Sequence, residues 1–137
     1  MHLLIDGYAG DTQRMWDRDF VHKFLEEFPA TLGMNKIYGP VVLEYDAPKP
    51  EDSGVSGFVV IAESHISVHT FPERSYMNID IFSCKAFDSQ KALDRVKEQF
   101  RLQNMKTWQV DRGLEHYDPS LARPRGVREQ VAGPADN

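Results

Sequence analysis

The chain has 137 residues, with 16 Lys plus Arg against 21 Asp plus Glu and a formal net charge of −5. That is the size of one domain, and an acidic chain without a basic block makes a poor partner for nucleic acid. No apolar run approaches a membrane span, the first residues lack the basic and apolar regions of a secretory leader, and the single cysteine, Cys84, excludes an internal disulfide framework. The expectation is a cytoplasmic protein with neither a membrane nor a nucleic-acid partner.

Residues 3–8 read as a first strand, closed by Gly7 and Gly10. Asp11 and Thr12 are N-caps for one helix running to about Phe28, with Pro29 as its exit. Trp16, Phe20, Phe24 and Phe28 recur every four residues, widened by Val21 and Leu25, so this stripe is expected in the core. Residues 36–45 read as a strand broken at Gly39-Pro40, and 46–54 as a loop. Residues 57–62 form a continuous apolar run, typical of a buried strand. Residues 65–71 and 76–84 alternate polar and apolar, joined by the turn Pro72-Glu73-Arg74-Ser75. Asp88 or Ser89 caps a second helix with a Leu93, Val96 and Phe100 stripe. Residues 106–110 are a last strand. The order β-α-β-β-β-β-α-β predicts an α+β two-layer sandwich, a mainly antiparallel sheet with two helices on one face. A single domain over 1–117 is expected, with 118–137 a loosely ordered tail carrying Arg123, Arg125 and Arg128 as solvated charges.

The informative block is 53–84. Alternate side chains of a strand share a face. Ile66, Val68 and Thr70 therefore point with Met77, Ile79 and Ile81. His65, Ser67 and His69 point with Asn78, Asp80, Phe82 and Cys84. One face thus collects two imidazoles, an amide, a carboxylate and the thiol. Such a face either meets water or lines a site, and alternation alone does not choose. A metal site from His65, His69 and Cys84 is not expected, because His65 and Cys84 would have to converge from different strand ends and no fourth ligand is evident.

Three stretches go further: Gly54-Val55-Ser56-Gly57, then Ala62-Glu63-Ser64-His65-Ile66-Ser67-Val68-His69-Thr70-Phe71-Pro72-Glu73, then Asp80-Ile81-Phe82-Ser83-Cys84. They closely resemble the prokaryotic S-adenosylmethionine decarboxylase family, and Arg112-Gly113 also fits. The resemblance spans roughly residues 2–115. It implies an inactive proenzyme that cuts itself between Glu63 and Ser64. The products would be a β chain of 1–63 and an α chain of 64–137 that begins with a covalent pyruvoyl group made from Ser64. No metal and no pyridoxal phosphate are implied.

By the same resemblance, Ser64 Oγ attacks the Glu63 carbonyl, His69 removes the Ser64 α-proton and Ser56 assists as a hydrogen-bonding group. The mature enzyme would hold its substrate as a Schiff base on the pyruvoyl ketone, lose CO2, and take a proton from Cys84. Glu63, His65 and Asp80 are candidate substrate contacts, Asp80 either holding an amine or pairing with Arg112. The implied function is a carboxy-lyase of polyamine (spermidine) biosynthesis. The implied partners are a small-molecule substrate and a second copy of the chain in a homodimer.

The sequence also departs from the family. Before Gly-Val-Ser the family carries an aromatic residue that helps hold adenine; here the stretch is Pro50-Glu51-Asp52-Ser53. Lys85 replaces a glycine, and Met77-Asn78-Ile79 replaces small residues. Glu51-Asp52 would suit a guanidinium or ammonium group, so L-ornithine or L-arginine decarboxylation is the alternative, although the pair by itself reads first as a solvated loop. A non-catalytic regulatory homologue is the reading from another class.

Overall fold

The computed structural model describes residues 1–116 and 118–121. The tail expected over 118–137 therefore lies largely outside the described residues; within them, Pro119–Leu121 forms a single helical turn.

Among the described residues, six strands form one sheet in the order β2-β3-β4-β5-β1-β6, with antiparallel pairing throughout. They are β1 (His2–Tyr8), β2 (Lys36–Tyr45), β3 (Gly54–Ile61), β4 (Ser64–Phe71), β5 (Tyr76–Phe82) and β6 (Asn104–Val110). The helices α1 (Thr12–Trp16), α2 (Arg18–Thr31) and α3 (Ser89–Phe100) accompany them. The core lies between sheet and helices: Leu3, Ile5, Val55, Val59, Ile66, Val68, Met77, Ile79 and Ile81 meet Phe24, Leu25, Phe28, Val96 and Phe100. The two-layer α+β architecture is the one expected from the element order, with three α-helices among the described residues where two were expected.

The difference arises at Asp17. Asp11 caps α1 by accepting the Arg14 N–H at 3.2 Å. Asp17 then adopts an extended conformation (φ −84°, ψ 100°) and its carboxylate accepts the N–H groups of Asp19 and Phe20, starting a new helix. A capping carboxylate inside an apolar stripe offers the backbone an alternative to continuing the helix. The break puts Trp16 out of phase with the stripe, and it is exposed rather than in the core. Pro29 lies inside α2 instead of ending it. It lies in the final turn, where it removes one N–H from the end of the ladder, and its carbonyl closes the helix by accepting from Leu32 and Met34. Strand β2 runs through Gly39-Pro40 with shifts of register on either side of Tyr38. It is an edge strand, where a missing N–H costs no ladder bond.

The glycines of Gly-Val-Ser-Gly serve close approach. A Cβ at Gly54 would stand 1.8 Å from the Thr70 carbonyl oxygen, and one at Gly57 would stand 2.9 Å from Leu25 of α2. Thr70, buried between them, accepts the Val55 N–H at 3.0 Å and donates to the Met15 carbonyl at 2.8 Å. The β3–β4 hairpin is thereby fixed to α1 and to the core.

Candidate active site

The face of the sheet away from the helices carries the residues singled out by alternation. His65, Ser67 and His69 are on it, as are Asn78, Asp80 and Phe82 of β5, while Ile66, Val68, Met77, Ile79 and Ile81 are fully buried beneath. These residues do not form one cluster. They divide between the two ends of the face.

At one end stands Ser64, the first residue of β4 and buried. The residues Ala62 and Glu63 make the tight turn from β3, and Glu63 sits at φ +74°, a left-handed conformation that costs a non-glycine residue on the order of 1–2 kcal/mol. The Ser64 hydroxyl lies 2.5 Å from the Glu63 carbonyl oxygen. The Cys84 N–H donates to Ser64 Oγ at 3.0 Å, and the Cys84 thiol is 3.5 Å from the Glu63 carbonyl oxygen. β5 has already ended at Phe82, so Cys84 is free to turn toward Ser64 rather than continue the ladder. The Ser64 hydroxyl and the Cys84 thiol therefore converge on the same carbonyl oxygen.

His65 belongs to the same end, since it pairs with Phe82 in the β4–β5 register. The Phe82 ring is 5.6 Å from His65 and 5.7 Å from His2, and the Arg112 guanidinium lies 4.2 Å above it. Arg112 therefore spends its charge on a ring. The carboxylate of Asp80 faces His2 at 3.7 Å, the partner that sequence order did not suggest because β1 and β5 are distant in the chain. Burial lowers the pKa of His2 below the ordinary imidazole value, against the opposing pull of Asp80.

Ser56 and His69 occupy the other end. They are opposite one another across β3 and β4, and Ser56 Oγ is 2.7 Å from His69 Nδ1. A groove beside them is lined by Val41, Leu43, Phe58 and Ser67. His69 is five positions along β4 from Ser64; at about 3.3 Å per residue that is roughly 16 Å. The structure thus does not bring the Ser56–His69 pair to Ser64 within one chain. The expected obstacle to a metal site is also corrected. His65 and Cys84 share an end of the face and His69 is the distant one; among the described residues no three His, Cys, Asp or Glu side chains are grouped to hold a metal ion.

The departures from the family have structural partners of their own. Met77 and Ile79 fill the core, and Asn78 donates to Asp6 at 2.8 Å and to Tyr76 at 2.7 Å. Asp52 does receive a guanidinium, that of Arg74 at 3.2 Å, whose Nε also donates to the Glu51 carbonyl at 3.1 Å. The acidic loop is latched by the protein's own arginine. Sequence reasoning also missed His116, whose Nε2 lies 3.3 Å from the Glu63 carboxylate. Its only signal was position, a few residues after Arg112-Gly113.

No described helix is long and apolar enough to cross a membrane. A family model for S-adenosylmethionine decarboxylase matches residues 1–113. The chain is 47% identical over 122 residues to the S-adenosylmethionine decarboxylase proenzyme of Pyrococcus abyssi, covering 88% of this chain and 83% of the relative. It is 33% identical over 122 residues to the proenzyme of Geobacillus kaustophilus, covering 89% and 94%. The crystal structure of the adenosylmethionine decarboxylase from Aquifex aeolicus superposes with a TM-score of 0.62 at 24% identity, covering 78% of this chain and 84% of that one, a likeness of fold. By sequence over nearly its whole described length, the chain belongs to the S-adenosylmethionine decarboxylase family.

Proposed function

We propose that this chain is a self-processing S-adenosylmethionine decarboxylase of polyamine biosynthesis, cut between Glu63 and Ser64 into chains of 1–63 and 64–137. One observation carries the reading: Ser64 Oγ, held by the Cys84 N–H, lies 2.5 Å from the carbonyl oxygen of a residue in left-handed backbone. Oγ attack on the Glu63 carbonyl carbon breaks the peptide C–N bond and leaves an ester and a free amine. The rearrangement is uphill, and relief of the left-handed turn offsets part of its cost. The Cys84 thiol is placed to donate to the carbonyl oxygen as negative charge builds there. Removal of the Ser64 α-proton then expels the Glu63 carboxylate from Cβ. The vinylic amine left behind tautomerises and loses ammonia to water, giving the pyruvoyl group.

That group supplies a ketone that captures the substrate amine and an acceptor for the electron pair released with CO2. Ser64 at the chain's new start would carry it. Cys84, already in contact with Ser64, is the proton donor at the substrate carbon, and no metal or pyridoxal phosphate is called for. His65 and Asp80 flank the same end as candidate substrate contacts. The need for a free thiol fits a reducing, cytoplasmic setting.

His69 is the base for the α-proton. For its Nε2 to accept a proton, Nδ1 must carry one and donate it to Ser56, so Ser56 sets the tautomer. The distance between that pair and Ser64 argues for a homodimer in which each chain's His69 serves the other's Ser64. Leu43, Tyr45, Phe58, Trp108 and Val110 are all exposed on that same face, apolar area that a second copy would cover.

The test is CO2 release from S-adenosylmethionine, L-ornithine and L-arginine side by side, with a denaturing gel of the same sample. Two chains and release from S-adenosylmethionine are expected. Release from ornithine or arginine instead would overturn the substrate, and an uncut, inactive chain would favour a regulatory homologue.

A further inference from the structure

We infer that His116 is a positioning residue for self-cleavage, holding the Glu63 side chain so that the turn before Ser64 stays in its reactive shape. The inference rests on the self-processing reading and extends it to a residue outside the motifs that carry it.

The chain leaves β6 at Val110, which pairs with His2 at the Ser64 end of the sheet. It then crosses that end. Arg112 lies over the Phe82 ring, and Gly113, at φ +76°, packs so tightly that a Cβ there would stand 3.2 Å from Cys84 Sγ. A single helical turn follows, Leu114–His116, in which the His116 N–H donates to the Gly113 carbonyl at 3.2 Å. This turn delivers His116 Nε2 to 3.3 Å from the Glu63 carboxylate. One short segment thus touches the ring beside Ser64, the thiol, and the residue that leaves.

Glu63 is where such a hold matters. A non-glycine residue in left-handed backbone relaxes unless its surroundings fix it. The backbone of the turn is tied by the Ala62 N–H to the Asn35 carbonyl at 2.7 Å. The Glu63 side chain is tied by His116. The side chains are 44% and 54% exposed, so solvent screens the pair and bounds its effect on rate. The expected slowing on its loss is roughly twofold to fivefold.

The experiment follows conversion of one chain into two on denaturing gels after cell-free synthesis of the full chain, comparing the parent with His116→Ala, His116→Gln, Glu63→Ala and the double variant Glu63→Ala/His116→Ala. His116→Ala should slow cleavage by the stated factor. His116→Gln, which keeps a donor near the carboxylate, should recover most of the rate. In the Glu63→Ala background, removing His116 should change nothing further. CO2 release per cleaved His116→Ala chain should match the parent. Parental cleavage by His116→Ala, equal slowing with and without Glu63, or an equal loss of turnover per cleaved chain would overturn the assignment. A parental chain that never cleaves would sink the self-processing reading itself, which separates the two failures.

Discussion

Ser56 Oγ and His69 Nδ1 meet at 2.7 Å across β3 and β4, at the far end of the sheet face from Ser64. A base about 16 Å from its proton is of no use within one chain. Subunit mixing tests the arrangement. His69→Ala alone should cleave slowly, and Ser64→Ala should remain one chain and release no CO2. Co-refolded together, the two should give cleaved His69→Ala chains, because each intact Ser64 now meets a partner's intact His69. Mixed dimers that cleave no faster than His69→Ala alone would place the base in the serine's own chain.

Cys84 contacts the Glu63-Ser64 pair twice, through a backbone N–H donated to Ser64 Oγ at 3.0 Å and through a thiol 3.5 Å from the Glu63 carbonyl oxygen. Cys84→Ala keeps the first contact and deletes the second. The variant should therefore still cleave, more slowly than the parent. Its turnover should be poor and should decay during assay, because without a held donor the proton reaches the wrong carbon and consumes the cofactor. Lasting parental activity in Cys84→Ala, followed as CO2 against time, would remove the thiol from the mechanism.

Strand alternation made the split between core and open face legible, and burial alternates along residues 65–71 and 76–82 as that pattern required. The motifs made Ser64, His69 and Cys84 legible as candidates. Their distribution over two ends was not, because alternation gives the face of a side chain and says nothing of its height along the strand until the register is known. The neighbours from distant segments were equally hidden. His2 reaches Asp80 only because β1 inserts beside β5, and His116 reaches Glu63 only because the chain recrosses the sheet end after β6. The helix break at Asp17 was hidden for a local reason: an aspartate in an apolar stripe is a solvated residue or a cap, and the stripe favoured the first.

His2 makes acid stability testable. Burial lowers its folded pKa, so the unfolded chain, with an ordinary value of about 6.5, binds the proton more readily. Its contribution to stability is present above pH about 6.5 and is lost as the pH falls toward the lowered folded value. Urea midpoints of the parent should drop between pH 7.5 and pH 5.5, and His2→Gln should drop less. The same drop in both proteins would show that the proton is taken up elsewhere.

Thr70 separates the scaffold from the chemistry. Its hydroxyl is buried, accepts the Val55 N–H at 3.0 Å and donates to the Met15 carbonyl at 2.8 Å, so one atom joins β3, β4 and α1. Thr70→Val keeps the shape but strands a donor and an acceptor in the core, which costs about 1–3 kcal/mol. Thr70→Ser keeps both bonds and loses a methyl group, which costs about 1 kcal/mol. Urea unfolding in the uncleavable Ser64→Ala background keeps the chain whole for the comparison. Val should be the more damaging of the two substitutions there. If Ser were as damaging as Val, packing of the methyl and not the hydroxyl would be what fixes the hairpin to α1.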